Sequence, residues 1–298
     1  MQTRIYHSDE QRQIWRVVPD LIRARELLRD LITKDFRVKY RYAAMGVAWA
    51  VIEPLALTFV LSFVFVFVFP SRVSGTPGAE APFPVSLLCA LIFWQFSASA
   101  LSAATVSLVT YQDLVKKNCF AREIIPLSMA CYPLINLGLG FVILIAMHLS
   151  FGGGIGWSLA LFPLVFIIQF VMTAGLALLF SCSHVLFRDV GYMVNVALLF
   201  GFYATPIFYR LEWVMAKSSL PEAVQQNHPW LEPLYPWLQR LYLLNPMAEL
   251  MTAYRQMLFE SRFPDLWLLG WPAVMAALAL ALGVTVFRRN AALLSDHL

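Results

Sequence analysis

The fold is decided by residues 29 to 69, which read RDLITKDFRVKYRYAAMGVAWAVIEPLALTFVLSFVFVFVF. A basic, amphipathic approach passes here without a turn into a long apolar segment. From Ala43 to Phe69, the segment is long enough to cross a hydrocarbon core of ~30 Å at ~1.5 Å per residue. Glu53 and Pro54 interrupt it, and a carboxylate at that depth is costly unless it has a partner or a function. The stretch therefore predicts a membrane span that follows a helix at the cytoplasmic surface.

Composition places the whole chain in the membrane class. Of its 298 residues, 60% are hydrophobic and 13% are charged, and the mean hydropathy is +0.67. One soluble core of this length could not bury so much apolar surface. The four cysteines lack the spacing of a metal site or of a disulfide framework, and the polar N-terminus lacks the apolar region of a cleaved signal peptide. We therefore expect insertion to depend on the internal apolar segments.

The segment before the first span predicts an amphipathic interface helix within a cytoplasmic N-terminal segment, residues 1–42. Between Asp20 and Tyr42, apolar side chains recur on one helical stripe: Leu21, Ala24, Leu28, Leu31 and Ile32. A strongly basic helix beside a span is typical of the cytoplasmic headgroup level, although a solvated helix of a soluble domain has the same periodicity. The basic residues assigned to this helix are Arg29, Lys34, Arg37, Lys39 and Arg41.

Apolar length divides the remaining chain, residues 43–298, into six predicted transmembrane helices of an all-α integral membrane protein. The predicted spans are 43–69, 85–109, 127–149, 157–180, 190–207 and 266–287. The second is rich in Ser and Ala, which let helices approach closely, so we expect it inside the bundle. Residues 208–265 mix Trp, Tyr, Pro and charge, which predicts an outer-face loop with short interfacial or re-entrant helices around Asn245 and Pro246.

The distribution of basic residues orients these spans. With the N-terminus inside, 16 of the 22 Lys and Arg residues fall in cytoplasmic segments, as the positive-inside rule requires. Both termini are then expected on the cytoplasmic side of the inner membrane. The loop from Tyr111 to Pro126 lies on the same side and carries a cluster of charge: Asp113, Lys116, Lys117, Arg122 and Glu123.

Sequence motifs of catalysis are missing. Neither G-x-x-x-x-G-K-[ST], H-E-x-x-H nor G-x-S-x-G occurs, which predicts a transport subunit with no cofactor or metal of its own rather than an enzyme. A secondary transporter would repeat ionisable residues and broken helices at the midplane, whereas only Glu53 lies deep in a span. Two interpretations of Glu53 remain open: a functional group, or a structural partner for a nearby Arg, Ser or backbone amide freed by Pro54.

Several motifs, in order along most of the chain, resemble the integral-membrane subunit of the type-2 ABC exporters that move polysaccharides such as O-antigen, capsule and teichoic acid. RDLITKDFRVKYRYAAMGVAWAVIEPL resembles the family's basic approach and its G-x-x-W…P-L start of the first span. CFAREIIPLS, residues 119–128, resembles the family's F-P-R-E-I-L-P-L-S loop. FRDVGY at 187–192, ATPIFY at 204–209 and LLNPMAELMTAYRQML at 243–258 resemble its later landmarks. Two positions depart from the pattern: Ala121 stands where the family often has Pro, and Arg210 where Pro often follows I-F-Y.

The resemblance implies a homodimer with a channel between the two copies. It also implies two separate ATP-binding subunits on the cytoplasmic face, which bind ATP and Mg²⁺, and a lipid-linked polysaccharide as substrate. The charged residues of the 111–126 loop would form the coupling helix that seats in the ATPase subunit. The same scaffold also serves exporters of drugs or lipids, and an integral-membrane transferase of lipid-linked sugars is a more distant alternative.

Aromatic side chains form two candidate channel faces. Aromatic rings stack on the C–H faces of sugars, but a stripe of them in a membrane helix also suits lipid or a neighbouring helix. We predict that at least one stripe lines the dimer seam. The candidate channel or gate residues are Trp49, Glu53, Pro54, Phe59, Phe63 and Phe67 on the first span, and Tyr192, Tyr203 and Tyr209 on the fifth.

Overall fold

The computed structural model describes residues 24–68, 81–117, 121–211, 215, 227 and 229–297, and these residues form helices and no strand. The helices are α1 (Arg25–Tyr40), α2 (Trp49–Phe63, between a 3₁₀ turn at Gly46–Ala48 and a π-helical turn at Val64–Val68), α3 (Phe83–Thr110), α4 (Gln112–Lys117), α5 (Ile124–Cys131), α6 (Pro133–Ser150), α7 (Phe162–Leu186, after a 3₁₀ turn at Trp157–Leu161), α8 (Val190–Ala204), α9 (Tyr235–Leu243, after a 3₁₀ turn at Pro229–Leu234), α10 (Pro246–Phe259) and α11 (Leu266–His297). Leu21 of the predicted amphipathic stripe and the side chain of Lys117 lie outside the described residues.

Five helical segments are long and apolar enough to cross a membrane. They are Gly46–Val68, Phe83–Thr110, Ile124–Ser150, Trp157–Leu186 and Trp267–Asn290. The all-helical membrane fold expected from composition is thereby confirmed. The helix at the predicted fifth span, α8, has only 15 residues, so the sixth crossing stays a prediction.

Two helices run beyond the ends predicted for their spans. The span predicted at 157–180 ends too early, because α7 continues to Leu186. The hydroxyl of Ser181 donates back to the carbonyl of Leu178 at 3.0 Å, and Cys182 is fully buried. The last helix continues past the predicted end at Phe287, because the next residue, Arg288, is buried rather than solvated.

Helix α3 is the centre of the bundle. It packs against α2, α5, α6, α7, α8 and α10, and 72% of its most apolar stretch is buried. Ala100 and Ala104 are completely buried, which confirms that the Ser/Ala-rich span packs inside the bundle, where small residues permit close helix contacts.

The most extensive helix pair is α7 and α11. Gly175 of α7 lies against the backbone of Ala279 and Leu280, and Gly283 of α11 lies against the carbonyl of Gly175. A Cβ atom at either glycine would overlap main-chain atoms of the other helix. The two backbones can therefore meet only because both positions lack a side chain, as in other close-packed membrane helices.

Helix α10 lies in the core, which differs from an interfacial helix on the outer surface and agrees with the re-entrant alternative that the sequence left open. Its residues from Met247 to Phe259 are buried except Gln256, which is half-buried, and the ring of Tyr254 stacks on Phe93 of α3 with centroids 3.8 Å apart. Five buried Met and Leu side chains make this helix a hydrophobic element of the core. Its N-terminus is capped by the Asn245 side chain, which accepts from the N–H of Met247 at 3.0 Å.

A buried polar network fixes α10 between α3 and α7. Gln169 of α7 donates to the carbonyl of Phe93 at 2.8 Å and to the Ser97 hydroxyl at 2.9 Å. Its amide oxygen accepts from the hydroxyl of Tyr254 at 2.7 Å. The Gln169 amide thus makes three hydrogen bonds, two as donor and one as acceptor, and the network joins three helices at little desolvation cost.

Contacts between distant segments define two ends of the bundle. At one end Glu123 pairs with Arg288, so the 111–126 region and the C-terminal part of α11 lie together. At the other end Asn245 donates to the carbonyl of Ala204, and Ser158 donates to the carbonyl of Met257. We call these the inner and the outer end, after the topology that the charges predict. Helix α8 begins after the inner end of α7 and finishes at the outer end.

Candidate functional site

The charged loop at the inner end divides into exposed and enclosed residues. Asp113 and Lys116 on α4 are exposed, while Val115 between them is buried. Glu123 accepts from the Nε of Arg288 at 3.1 Å, and the two side chains are only 12% and 5% exposed. Of the predicted coupling residues, Asp113 and Lys116 thus present charge to the outside, whereas Glu123 binds the loop to α11.

One apolar cluster joins this loop to α1 and to four of the membrane-capable segments. Its buried members come from α1, α4, α3, α5, α7 and α11: Leu31, Leu108, Val115, Ile124, Ile125, Leu178, Cys182, Val185, Val284 and Phe287 are among them. A displacement of α1 or α4 must repack the other helices, because protein interiors are close-packed. We call this group the inner cluster.

Helix α1 lies on the inner end with its basic residues outward. Leu31 is 5% exposed and faces α5, while Arg29, Lys34, Arg37, Lys39 and Arg41 are all exposed. The five basic residues assigned from the sequence therefore share the free surface of the helix. That surface suits either anionic headgroups or an acidic protein partner.

Polar contacts that the sequence did not predict attach α1 to the spans. The hydroxyl of Tyr111, just after α3, donates to the carboxylate of Asp35, and Lys34 lies over the Tyr111 ring at 4.4 Å. Burial raises the pKa of Asp35, against the opposing effects of the Tyr111 hydrogen bond and the Lys34 charge. Burial and the Asp35 carboxylate also raise the pKa of Tyr111. The available signal was position: Asp35 follows Leu31 by four residues and so lies on the buried stripe.

The aromatic stripe on the first span is exposed in the single chain. Phe59, Phe63 and Phe67 are 73%, 54% and 71% exposed, and Trp49 is 45% exposed. The opposite side of α2 carries the buried residues Thr58 and Ser62. The stripe is therefore free to meet lipid or another chain, as the sequence left open.

Helix α8 exposes a second face. Tyr192 and Tyr203 are 77% and 64% exposed, and Val194 is the only buried residue of the helix. Tyr209, which the sequence grouped with them, differs: its hydroxyl donates to the carbonyl of Tyr203 at 3.2 Å and accepts from Tyr242 at 3.0 Å. Tyr209 thus holds the outer segment together, while the other two tyrosines point outward.

The two exposed faces are neighbours at the outer end. Phe65, in the π-helical turn after α2, stacks on Phe208 with centroids 5.7 Å apart, and Phe208 contacts Phe202 of α8 at 5.1 Å. Both helices also pack on α3. The chain thus presents two adjacent apolar and aromatic faces beside one central helix.

The segment after α8 is held by a residue that the sequence analysis missed. Arg255 of α10 is 6% exposed and donates to the carbonyls of Ile207 at 2.8 Å and Tyr209 at 3.0 Å. Arg210 pairs with Glu260 at 3.5 Å. The motifs ATPIFY and LLNPMAELMTAYRQML, far apart in sequence, therefore meet through a buried guanidinium and backbone carbonyls.

Glu53 lies on neither aromatic face. It is exposed at the edge of the buried side of α2 and lines a cleft with Pro54 of α2, Gln95 of α3 and Asn136 of α6. Pro54 lies inside the helix, and its carbonyl accepts from the Thr58 hydroxyl at 2.7 Å. Among the described residues, no group of three or more His, Cys, Asp and Glu side chains could hold a metal ion.

Comparison with known proteins relates the chain to transport permeases. No family model matches it. It is 25% identical over 250 residues to the O-antigen export system permease protein RfbA of Myxococcus xanthus, which covers 84% of this chain and 86% of that protein. Two proteins of the same name from Klebsiella pneumoniae are 26% and 24% identical, over 65% and 78% of this chain and 73% and 80% of their own lengths. These relationships confirm the resemblance that the motifs predicted, to the membrane permease subunits of type-2 ABC exporters.

Proposed function

We propose that this chain is the membrane permease of an ATP-driven exporter that moves a lipid-linked polysaccharide, of O-antigen, capsule or teichoic-acid type, across the inner membrane. The observation that carries the proposal is similarity to three O-antigen export permeases over 65% to 84% of the chain. The exposed aromatic faces of α2 and α8 support it, because aromatic rings suit sugar rings.

Six crossings with both termini in the cytoplasm make up the proposed topology. Helix α8 supplies the sixth: its 15 residues rise ~22 Å, and its ends lie at the two ends of the bundle. The irregular segment after it extends the crossing, because Arg255 binds the carbonyls of Ile207 and Tyr209. Irregular backbone is tolerated at membrane depth only with such internal partners. Helix α10 then re-enters the core from the outer side.

The transport path lies at the seam of a homodimer in this proposal. The buried helix α3 occupies the centre of the single bundle, whereas a seam between two copies can open without exposing backbone to lipid. The adjacent exposed faces of α2 and α8, with Phe59, Phe63, Tyr192 and Tyr203, are the surfaces that we assign to it.

ATP and Mg²⁺ are bound by a separate ATPase subunit on the cytoplasmic face. Asp113 and Lys116, exposed on α4, and the basic surface of α1 are available for it. Movement of either element reaches the spans through the inner cluster and the ion pair between Glu123 and Arg288. The nucleotide state of the partner can then shift the dimer between closed and open arrangements.

The coupling assignment is tested by replacing Arg122 and Glu123 with Ala. We expect ATP-driven export to be abolished while the chain still inserts in the membrane. A variant in which Asp189 is replaced by Ala is the control for a charge change in another cytoplasmic turn. Export at the wild-type rate in the double variant would contradict the coupling role.

The function is tested by deleting the gene and analysing polysaccharide on the surface and inside the cell. We expect finished, lipid-linked polymer to accumulate in the cytoplasm while surface polymer disappears. Loss of polymer synthesis would instead identify a transferase, and unchanged surface polymer would identify an exporter of drugs or other lipids.

A further inference from the structure

Helix α3 leaves one strip of its surface uncovered between two neighbouring helices. Trp94 lies against Gly201 of α8. Two residues earlier, Ile92 lies against Gly140 of α6. Successive residues of a helix are rotated by about 100°, so Gln95 lies between these two directions, and its side chain is exposed. The gap between α6 and α8 therefore exposes the middle of α3.

This strip carries polar side chains over two helical turns. Ser99 and Ser102 follow Gln95 at positions i+4 and i+7, so they share its side of α3, and both are partly exposed. The hydroxyl of Ser102 donates to the Oδ1 of Asn195 on α8 at 3.1 Å. Asn195 is itself exposed, so α8 adds a second amide at the edge. We call Gln95, Ser99, Ser102 and Asn195 the polar strip.

The polar strip lies deep in the membrane-spanning part of the bundle. Helix α3 extends from Phe83 to Thr110, which places Gln95 near its middle, and Ser102 lies ~10 Å closer to the inner end. None of the described residues hydrogen-bonds the Gln95 amide. Hydrocarbon offers no donor or acceptor, so leaving such groups against lipid is costly. The strip therefore requires water, a polar ligand or another polar surface.

Exposed aromatic helices flank the polar strip on both sides. Helix α2 packs on α3 and α6, whereas α8 packs on α3 and α7, so the two lie on opposite sides of the strip. Phe59 and Phe63 of α2 and Tyr192 of α8 are exposed. Because α3 lies behind both helices, a second copy of the chain contacts these rings before it reaches the strip. A dimer seam formed by α2 and α8 thus leaves space above the strip.

The structure already contains free volume beside the strip. Gln95 and Ser99 line a cleft of about 50 Å³ together with Glu53 of α2 and Asn136 of α6. One water needs ~10–15 Å³, so the cleft has room for a few water molecules among polar side chains. Polar and ionisable groups that face such a space at membrane depth are typical of a hydrated transport path.

We propose that the polar strip is the hydrogen-bonding wall of the transport path and binds the hydroxyl groups of the polysaccharide as it crosses. Amide and hydroxyl groups both donate and accept, as sugar hydroxyls do. They carry no charge that would hold a neutral chain in place. The rings of α2 and α8 stack on the C–H faces of the same sugars. The identity of the ligand rests on the proposed function, whereas the hydrated path does not.

The first test measures access of water to the strip in the absence of cargo. Gln95→Cys and Val142→Cys place thiols at exposed positions near the middle of α3 and of α6. Each chain, assembled with its ATPase subunit, is treated with a charged methanethiosulfonate in inner-membrane vesicles from cells that make no polymer. The reagent reacts with a thiolate, which forms in water and not in hydrocarbon, so we expect Gln95→Cys to be labelled about tenfold faster than Val142→Cys. Equal rates would overturn the proposal.

The second test measures export by chains that lack one amide. Gln95→Leu and Asn195→Leu keep the approximate size of the side chain, and each should slow export about fivefold, the effect of one neutral hydrogen bond. Export is normalised to the amount of chain in the membrane. Val106→Leu alters an exposed apolar residue of α3, one turn beyond Ser102, and should export at the wild-type rate. Wild-type export by both amide variants would also overturn the proposal.

The labelling test separates this inference from the proposed function. If gene deletion excludes polysaccharide as the cargo while Gln95→Cys is still labelled faster than Val142→Cys, the hydrated path is supported and only the proposed cargo fails. If polysaccharide is the cargo and Gln95→Cys is labelled no faster than Val142→Cys, the proposed function stands and the polar strip is not part of the path.

Discussion

Gly46–Val68 and Phe83–Thr110 are successive apolar spans of similar composition, yet the bundle uses them in opposite ways. In the first, 6% of the most apolar stretch is buried, and in the second 72%. Helix α3 touches seven other helices and carries the core, while α2 leaves its aromatic stripe outside. Hydrophobicity alone thus specifies that a segment enters the membrane. The partner of each face depends on small residues, glycines and buried polar groups.

The largest difference in stability between a variant at a buried position and one at an exposed position is expected at the inner end. Arg288→Gln leaves Glu123 mostly buried without its cation, which should lower the free energy of unfolding by about 3 kcal/mol. The neighbouring Arg289 is exposed, so Arg289→Gln should stay within ~0.5 kcal/mol. Detergent unfolding titrations of both variants measure the contrast. Equal stability of the two variants would show that the ion pair between Glu123 and Arg288 does not stabilise the fold.

The second largest effect on stability is expected at the glycine contact between α7 and α11. Gly283→Ala forces a Cβ atom against the carbonyl of Gly175, for a loss of about 2 kcal/mol as in other overpacked cores. Gly270 in the same helix has open space around it, so Gly270→Ala should be neutral or stabilise by up to ~1 kcal/mol through helix propensity. The same unfolding titration measures both variants. Unchanged stability of Gly283→Ala would show that the two helices can move apart to admit the methyl group.

Two glutamines of the core region provide a third contrast. Gln169→Leu leaves the Tyr254 hydroxyl without its acceptor, which should cost about 1 kcal/mol. Gln95→Leu removes an exposed amide and should change unfolding by less than ~0.5 kcal/mol. If both substitutions had the same effect, the polar network would not be what holds α10 in the core.

The exposed stripe should be nearly neutral for stability. Phe63→Ala removes a ring that is 54% exposed, so unfolding of the detergent-solubilised single chain should change by less than ~0.5 kcal/mol. Export should nevertheless fall if the stripe lines the seam. Val142→Ala, on an exposed face of α6, is the control that should affect neither. If the Phe63→Ala variant exports at the wild-type rate, the stripe faces lipid and not the seam.

The smallest expected effect is a dependence of stability on pH at α1. Burial raises the pKa of Asp35, so the folded state binds this proton more tightly than the unfolded state. Protonated Asp35 therefore contributes to the free energy of unfolding at low pH, and this contribution is lost as the pH rises through the raised pKa. Asp35→Asn should remove that part of the slope, which lies above the ordinary pKa of about 3.9 for an aspartate. If the free energy of unfolding changed with pH equally in the variant and in the wild type, Asp35 would not be the titrating group.

Much of the architecture could be predicted from the sequence. Long apolar runs located five membrane-capable helices, and periodicity located α1, because both signals are local along the chain. Ordered motifs identified the family resemblance. Helical spacing also grouped Phe59, Phe63 and Phe67 on one face of α2, but it left open whether that face meets lipid, another helix or a second chain.

The remaining features depend on contacts between distant residues. The sequence left open whether α10 is an interfacial or a re-entrant helix, because Tyr254 and Arg255 acquire their partners only from Gln169 and from the carbonyls after α8. Glu123 looked like a surface charge until Arg288, 165 residues away, came beside it. A charged residue can be assigned to the surface or to the core only when its partner is known. A single sequence does not show which distant residues form a pair.

The central claim is that the exposed faces of α2 and α8 meet a second copy of the chain. It is tested most directly by placing a photo-crosslinking phenylalanine analogue at Phe63 and at Tyr203, in native membranes that contain the whole exporter. We expect covalent dimers of this chain from both positions and none from Val142. Adducts with lipid alone at Phe63 and Tyr203, as at Val142, would contradict it.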